Sequence, residues 1–262
     1  MTIDLHLNGK VALVTGASEG IGRAVAARLA ALGMRVVAIA RNPARLGELA
    51  QEIGAAGGEC LAHPADLRQR SAAEVAVAAA IARFGRLDLL VNNAGATARG
   101  DFFSLTDDQW EDGYALKLFG AMRLCRAAWP HLAQQSGSIV NIAGIGGKNA
   151  TADFAIGGSV NAAVMYLTKS LADRGVKDDV RVNAINPGYI RTARLTKRLT
   201  QAAAEKKITV DEAGAAMTEA NGIARFGEPG EIADMVAFLA SGATGYVQGA
   251  IIDVDGGRNR GM

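Results

Sequence analysis

Short apolar runs alternate with longer, Ala-rich segments along most of the chain. The runs are rich in Val, Ile and Leu, and the segments between them repeat apolar residues at helical spacing. This alternation predicts parallel strands joined by right-handed helical crossovers. We therefore predict an α/β fold, a doubly wound parallel sheet of seven strands with helices on both faces. The strands are expected near residues 10–15, 35–40, 59–65, 87–92, 137–143, 180–186 and 250–255.

The length and composition suit a single domain. The chain has 262 residues, of which 50% are hydrophobic, and no linker or fixed-period repeat interrupts it. A chain of this size can bury one large core. We expect residues 1–262 to form one domain. The polar, Ala-rich stretch at about 191–224 is longer than a usual connection, and the plainest interpretation is an exposed helical hairpin.

A glycine-rich turn follows the first predicted strand. Val11–Val14 is apolar, and Thr15-Gly16-Ala17-Ser18-Glu19-Gly20-Ile21-Gly22 leads into an Ala-rich segment. In the pattern T-G-x-x-x-G-x-G, glycines let the backbone approach a pyrophosphate at a helix N-terminus. Tight turns also need glycine without any ligand. The turn alone therefore leaves both interpretations open.

Further motifs follow the later strands in a set order. They are Asp66-Leu67, Asn92-Asn93-Ala94-Gly95, Pro187-Gly188 and Val254-Asp255-Gly256-Gly257. With the glycine turn, this series resembles the short-chain dehydrogenase/reductase family from end to end. The resemblance implies a Rossmann-like fold, one dinucleotide-binding domain over residues 1–262, and a substrate lid at about 191–224.

The resemblance also implies a set of cofactor-binding residues. In relatives the glycine turn holds the pyrophosphate, the residues after the third strand border the adenine, those after the fourth flank the adenosine ribose, and those after the sixth approach the nicotinamide. In this chain the set is Gly16, Ala17, Ser18, Gly20, Ile21, Gly22, Asp66, Leu67, Asn93, Ala94, Gly95, Pro187, Gly188, Ile190 and Thr192.

The end of the second strand indicates which nicotinamide cofactor is bound. A relative that prefers NAD would carry an acidic residue at Ala40 to bind the ribose hydroxyls. Here Arg41 follows, and a guanidinium can pair with a 2′-phosphate. Glu19 adds an opposing negative charge, and the alternative interpretation of Arg41 is a solvated residue at the helix entry. Charge pairing favours NADP over NAD.

Four positions depart from the family's proton-transfer tetrad. In relatives a tyrosine donates the proton, a lysine lowers that tyrosine's pKa, a serine steadies the oxyanion and an asparagine organises the relay. Gly137–Ile142 matches the strand before the serine, Ala162–Val164 matches the helix after the lysine, and Trp110 anchors the preceding helix. This register places Lys117 at the asparagine, Gly144 at the serine, Gly157 at the tyrosine and Asn161 at the lysine.

No other register restores the tetrad. Tyr166 is followed by Lys169 after three residues and by Ser170 after four, so it lacks the required lysine four residues later, and we interpret it as a packing residue. Gly157-Gly158 inside a helix costs about 1 kcal/mol for each glycine relative to Ala. Two explanations stay open: close packing of this helix against a second subunit, or a pocket enlarged by the missing phenol.

We predict an NADP(H)-dependent oxidoreductase acting on a carbonyl/alcohol pair at a non-standard site. Lys117 is the first candidate for proton delivery, because burial near the nicotinamide could lower its pKa. One alternative is a catalytically silent nucleotide-binding subunit, and another is a non-redox enzyme, such as a lyase, that reuses the pocket. Pro187, Gly188 and Thr192 favour redox use, and the departures at the tetrad favour the silent interpretation.

Polar and charged residues lie on strand-end loops where relatives contact a small-molecule substrate. The loop after the fifth strand carries further candidates for acid chemistry, Lys148, Asn149 and Asp153, and the alternative for each is a solvated loop group. Arg99, Lys148 and Arg191 also lie on strand-end loops, where they could accept an anionic substrate.

The remaining features limit the partners. A net charge of +2 without a dense basic run gives no indication of a nucleic-acid partner. Met1–Lys10 lacks the apolar core of a signal peptide, and no apolar run is long enough to span a membrane. Cys60 and Cys125 lack metal-like spacing and are expected to be reduced packing residues. We expect a cytoplasmic protein and, from the small-residue helix Gly157–Leu171 and by family analogy, a homotetramer.

Overall fold

A computed structural model describes residues 5–261. Its strands form one seven-stranded sheet in the order β3-β2-β1-β4-β5-β6-β7, and every neighbouring pair is parallel. The fold predicted from the apolar runs is confirmed, with strand ends shifted by no more than a few residues. The strands are β1 Val11–Thr15, β2 Arg35–Ala40, β3 Cys60–Pro64, β4 Leu89–Asn92, β5 Ser138–Ile142, β6 Arg181–Pro187 and β7 Ile251–Val254.

Nine α-helices occur within residues 5–261, and they cover both faces of the sheet. Alternate residues of β1 point to opposite faces: Ala12 and Val14 join one apolar cluster, and Val11 and Leu13 join another. The helices are α1 Gly20–Ala31, α2 Pro43–Ala55, α3 Ala72–Phe84, α4 Asp107–Tyr114, α5 Gly120–Ala133, α6 Ala155–Asp178, α7 Ala193–Lys206, α8 Val210–Asn221 and α9 Pro229–Ala240.

Strand order reverses at β1, which lies between β2 and β4. Chain connections therefore leave the sheet in opposite directions on the two sides of β1. Open α/β sheets form a ligand crevice at such a switch point, outside the carboxyl ends of the strands. In this chain the glycine turn follows β1 and the segment Asn93–Gly95 follows β4, so both predicted cofactor segments lie at that crevice.

The stretch predicted as a hairpin or a lid contains α7 and α8. Leu195 and Leu199 of α7 form a small apolar cluster with Ile223 and Phe226, which follow α8, and Met217 of α8 packs against it. This cluster is separate from the two clusters that flank the sheet. The segment is therefore a helical unit with its own packing at the carboxyl edge of the sheet, and its role as a lid stays a prediction.

Both cysteines are free thiols. Burial raises the pKa of Cys60 to about 11 and that of Cys125 to about 12, so neither is poised as a nucleophile. The Asn92 amide also donates to Cys125 Sγ at 3.3 Å. In the part of the chain that the structure describes, no three His, Cys, Asp or Glu side chains are grouped to hold a metal ion. Over the same residues, no helix is both long and apolar enough to cross a membrane.

Candidate functional site

Thr15, at the carboxyl end of β1, ties together the two sides of the switch point. Its hydroxyl accepts hydrogen bonds from the backbone N–H groups of Asn93 and Ala94, both at 2.9 Å, and donates to Val91 O at 3.2 Å. The Asn93 side-chain amide donates to Thr15 O at 3.0 Å. These bonds fix the segment after β4 directly beside the glycine turn.

Two glycines of the turn allow a very close approach of backbone segments. A Cβ added to Gly22 would lie 2.2 Å from Gly16 O and 2.5 Å from Asn93 Nδ2. Gly16 itself has a φ of 66°, in the left-handed region that favours glycine. Helix α1 begins at Gly20 and has no side-chain cap, so its first backbone N–H groups remain available at the crevice.

The start of α7 closes over the same crevice. A Cβ added to Gly20 would lie 3.2 Å from Thr192 Cγ2, so the segment after β6 touches the glycine turn. Arg194 Nη2 donates to Gly95 O at 2.7 Å. The structure thus brings together the predicted residues after β1, β4 and β6.

The remaining predicted cofactor residues lie along the same carboxyl edge. Arg41 follows β2 and is exposed, and the Glu19 carboxylate, expected to oppose an anion there, is paired with Arg45. Asp66 accepts from the Arg68 backbone N–H at 3.1 Å, and Leu67 is buried. These residues border the outer part of the crevice, toward β3.

Lys117 lies in a π-helical turn, Ala115–Phe119, that joins α4 to α5. Such turns are rare and often occur at functional sites. The half-buried side chain passes Gly95, where an added Cβ would lie 2.7 Å from Lys117 Cδ. Its Nζ donates to Ala143 O at 2.6 Å. Gly95 therefore leaves the space through which the lysine reaches the end of β5.

The surroundings of Lys117 disfavour its charged form. Burial, and then repulsion from the Arg194 guanidinium, lower the pKa of Lys117 to about 7. An amine with a pKa near 7 can both hold and release a proton at neutral pH. Of the residues that the sequence places at the tetrad positions, Lys117 alone is ionisable.

Gly144 and Asn161 lie against each other beyond the end of β5. Gly144 has a φ of 146°, and a Cβ there would lie 3.0 Å from Asn161 Nδ2. The Gly144 N–H donates to Asn186 Oδ1 at 3.2 Å. Asn161 is 4% exposed, and its Oδ1 accepts no hydrogen bond from the residues that the structure describes. This oxygen is a buried acceptor beside the site.

The Phe154 ring fills the space beside Gly157. A Cβ added to Gly157 would lie 2.0 Å from Phe154 Cε2, and one added to Gly146 would lie 2.6 Å from Phe154 Cε1. The two glycines therefore receive the aromatic ring between them. The hypothesis that Gly157 leaves an enlarged pocket is wrong, because a side chain of this chain occupies that volume.

Other predicted polar residues are already paired with carboxylates. Lys148 Nζ lies 2.9 Å from Asp253 Oδ2, and Arg191 Nε lies 3.0 Å from Glu228 Oε1. Arg99 pairs with Asp153 at 2.7 Å. Lys148 and Arg191 are thus neutralised within the chain and are poor candidates for an anionic substrate.

Three contributors to the site were missed in the sequence. Phe154 gave no signal beyond its position three residues before the Gly157-Gly158 pair. Asn186 and Asp253 come from β6 and β7, and Asn186 Nδ2 donates to Asp253 Oδ1 at 2.9 Å. Their pairing depends on the register of these strands, which places them side by side.

A family profile described as short chain dehydrogenase matches residues 10–204. The chain belongs to this family. The matched region runs from the start of β1 through most of α7 and contains the whole crevice between β1 and β4. The sheet order and the motifs at its carboxyl edge are therefore those of a short-chain dehydrogenase.

Relatives of this short-chain dehydrogenase include well-defined reductases. The 3-oxoacyl-[acyl-carrier-protein] reductase FabG of Thermotoga maritima is 32% identical over 257 residues, covering 97% of this chain and 99% of that protein. The L-sorbose reductase of Gluconobacter frateurii, solved with NADPH and L-sorbose, superposes with a TM-score of 0.95 at 31% identity, covering 99% and 100% of the two chains.

A variant of actinorhodin polyketide ketoreductase solved with NADPH is also similar. It superposes with a TM-score of 0.91 at 32% identity, covering 96% of this chain and 98% of the ketoreductase. This short-chain dehydrogenase therefore has the Rossmann-like α/β fold of reductases whose structures contain NADPH, and it is an oxidoreductase of that family.

Proposed function

We propose that the protein is an NADP(H)-dependent oxidoreductase of a carbonyl/alcohol pair, in which Lys117 replaces the tetrad as the proton donor. The observation that carries this proposal is the position of Lys117 Nζ at the end of β5, where its pKa is lowered to about 7. The NADPH-bound reductases with the same fold support the redox assignment.

The crevice fits a dinucleotide. Gly16 and Gly22 let the turn pack directly against the segment after β4, and the uncapped start of α1 offers backbone N–H donors of the kind that hold a pyrophosphate. We assign the cofactor to Gly16, Ala17, Ser18, Gly20, Ile21, Gly22, Arg41, Asp66, Leu67, Asn93, Ala94, Gly95, Pro187, Gly188, Ile190 and Thr192. When bound, NADPH supplies the hydride for carbonyl reduction.

The chain's own groups account for the proton. The Lys117 ammonium releases a proton from Nζ to the substrate oxygen, and the resulting neutral amine takes a proton back from solvent. The carbonyl gains one hydride and this one proton, so the alcohol product balances. Ala143 O, as the hydrogen-bond acceptor at 2.6 Å, holds Nζ in place between turnovers.

Arg41 is expected to select NADPH over NADH. Glu19 is paired with Arg45, and Ala40 supplies no ribose-binding carboxylate, so the exposed Arg41 guanidinium is available to a 2′-phosphate. Arg41→Ala should narrow the preference for NADPH over NADH by about 1–2 kcal/mol. Calorimetric titration of both cofactors measures this difference.

The control for this prediction is Arg83→Ala. Arg83 is an exposed arginine at the end of α3 that pairs with Glu59 and lies toward the opposite edge of the sheet. The Arg83→Ala substitution should leave the preference for NADPH over NADH unchanged. Tighter or equal binding of NADH by the unaltered protein would refute the NADP assignment.

We also expect the chain to form a homotetramer. Tyr166, predicted to be a packing residue, is instead 77% exposed on α6 within this chain, and Phe103 is 92% exposed. Exposed patches of large apolar side chains are typical of surfaces that bury against another subunit. Light scattering at micromolar concentration should give about four times the 27.1 kDa chain mass. A mass of one chain contradicts the prediction.

A silent nucleotide-binding subunit is the second candidate function. Gly144 favours it, because a φ of 146° there is strained for any residue with a side chain, including the serine that relatives use. In that case the crevice binds the cofactor without turnover. A screen of aldehydes and ketones with NADPH separates the two candidates, since the silent subunit oxidises no NADPH with any of them.

A further inference from the structure

Three charged side chains form a cluster beside Phe154, which we call the mouth cluster. It consists of Arg99 from the loop after β4, Asp153 from the turn before α6, and Arg198 from α7. Arg99 Nη1 donates to Asp153 Oδ2 at 2.7 Å, and the Thr151 hydroxyl donates to Asp153 Oδ1 at 2.7 Å. Asp153 is therefore already paired with Arg99, and Arg198 is a second cation near this pair.

The mouth cluster borders the proposed reaction site. The Arg99 guanidinium lies 3.8 Å from the centroid of the Phe154 ring, whose far edge rests against Gly157. Arg198 lies on α7, one turn beyond Arg194, which itself reaches Gly95 beside Lys117. A substrate that enters between α7 and the turn before α6 must pass these guanidinium groups.

The cluster is short of negative charge. Arg198 is half-buried, and its guanidinium lies 5.2 Å from the centroid of the Tyr189 ring. Within residues 5–261 it forms no ion pair with a carboxylate. Burial, and then the Arg198 charge, lower the pKa of Arg99. The two guanidinium charges therefore disfavour each other, and one further anion would relieve this repulsion.

We infer that Arg99 and Arg198 bind a carboxylate of the substrate, so that the protein acts on oxo acids or hydroxy acids. This inference rests on the proposed carbonyl/alcohol chemistry for its reaction, but its binding claim stands on the mouth cluster alone. Asp153 shows the chemistry that these guanidiniums accept, because a planar carboxylate offers two oxygens to the donors of each arginine. Arg198 differs from Lys148 and Arg191 because, within residues 5–261, it has no carboxylate partner.

The test measures binding without turnover. Pyruvate, acetoacetate and levulinate, and the methyl ester of each, are titrated calorimetrically into the protein saturated with NADP⁺. At least one acid should bind about tenfold more tightly than its ester, the effect of one charge-assisted hydrogen bond. Arg198→Gln should remove most of this preference and leave Asp153 paired with Arg99. If no acid in the series binds better than its ester, the inference is wrong.

Lys197→Gln is the matched control. Lys197 is the exposed neighbour of Arg198 on α7, so its replacement removes the same charge from a position about 100° around the helix. The preference for the acid should persist in this variant. An equal loss in both variants would show a general effect of net charge and overturn the assignment to Arg198. Selective binding of an acid without NADPH oxidation would support the carboxylate site and reject the redox function. NADPH oxidation with equal binding of acid and ester would support the redox function and reject the carboxylate site.

Discussion

Lys117→Met should lower the turnover number by about 10²–10⁴-fold, the contribution of a positioned general acid. Met keeps the volume of the aliphatic stem that passes Gly95 and removes the ammonium group that contacts Ala143 O. Because the change is made away from the glycine turn, the affinity for NADPH should stay within about tenfold. Steady-state kinetics and a cofactor titration measure the two quantities separately.

The pH dependence of carbonyl reduction should reflect the ionisation of Lys117. The protonated ammonium is the donor, and its pKa is lowered to about 7 by burial and then by Arg194. The turnover number should therefore be constant below pH about 7 and fall as pH rises through that value. For alcohol oxidation the neutral amine is needed, so the rate should instead rise through the same pH. Arg194→Gln removes the repulsion and should shift both profiles to higher pH.

Lys177→Met provides the control for Lys117. Lys177 is an exposed lysine at the far end of α6, close to the amino ends of the strands, and its loss should change neither turnover nor the pH profile. If Lys117→Met retains full turnover, the lysine mechanism is excluded. If the unaltered protein oxidises no NADPH with any carbonyl compound, the silent subunit becomes the better interpretation.

Gly157→Ala should destabilise the protein by about 1–3 kcal/mol, although alanine is the better helix former. The added methyl group would lie 2.0 Å from Phe154 Cε2, and Gly146 confines the ring from the other side. The ring must therefore leave its position or the helix must shift. Chemical denaturation followed by circular dichroism measures the loss in free energy of unfolding.

The sign of this effect should reverse when Phe154 is removed. In a Phe154→Ala background the ring is absent, so Gly157→Ala should stabilise the protein by about 1 kcal/mol through helix propensity. Gly47→Ala in α2 is the control, because a Cβ there meets no atom within 4 Å and should give a similar gain in both backgrounds. Destabilisation by Gly157→Ala that persists without Phe154 would contradict the close contact.

The sheet could be predicted because its signals are local. Each strand is a short, mainly apolar run, and β1, β2 and β6 are nearly all buried, as strands covered on both faces must be. The glycine turn was recognisable for the same reason, since a backbone contact at Gly22 leaves glycine as the only residue that fits. Position along the chain also placed Lys117 and Asn161 at the site.

The charges around the site could not be predicted in the same way. Lys148 and Asp253 are separated by more than a hundred residues and meet because β7 pairs beside β6 and places Asp253 at the edge. Arg191 and Glu228 also meet only in the folded chain. The sequence shows which residues carry charge, whereas the availability of each charge to a ligand depends on its partner.

The effect of a substitution at Gly157 depends on the residue at position 154, because the Phe154 ring lies between Gly146 and Gly157. With the ring in place, every residue other than glycine at position 157 brings a Cβ into it, so no single substitution there can introduce a phenol without a steric penalty. A smaller residue at position 154 must come first, and that intermediate would leave a gap between the two glycines. The present arrangement is therefore entrenched: a route to a tyrosine at 157 passes through a less stable protein.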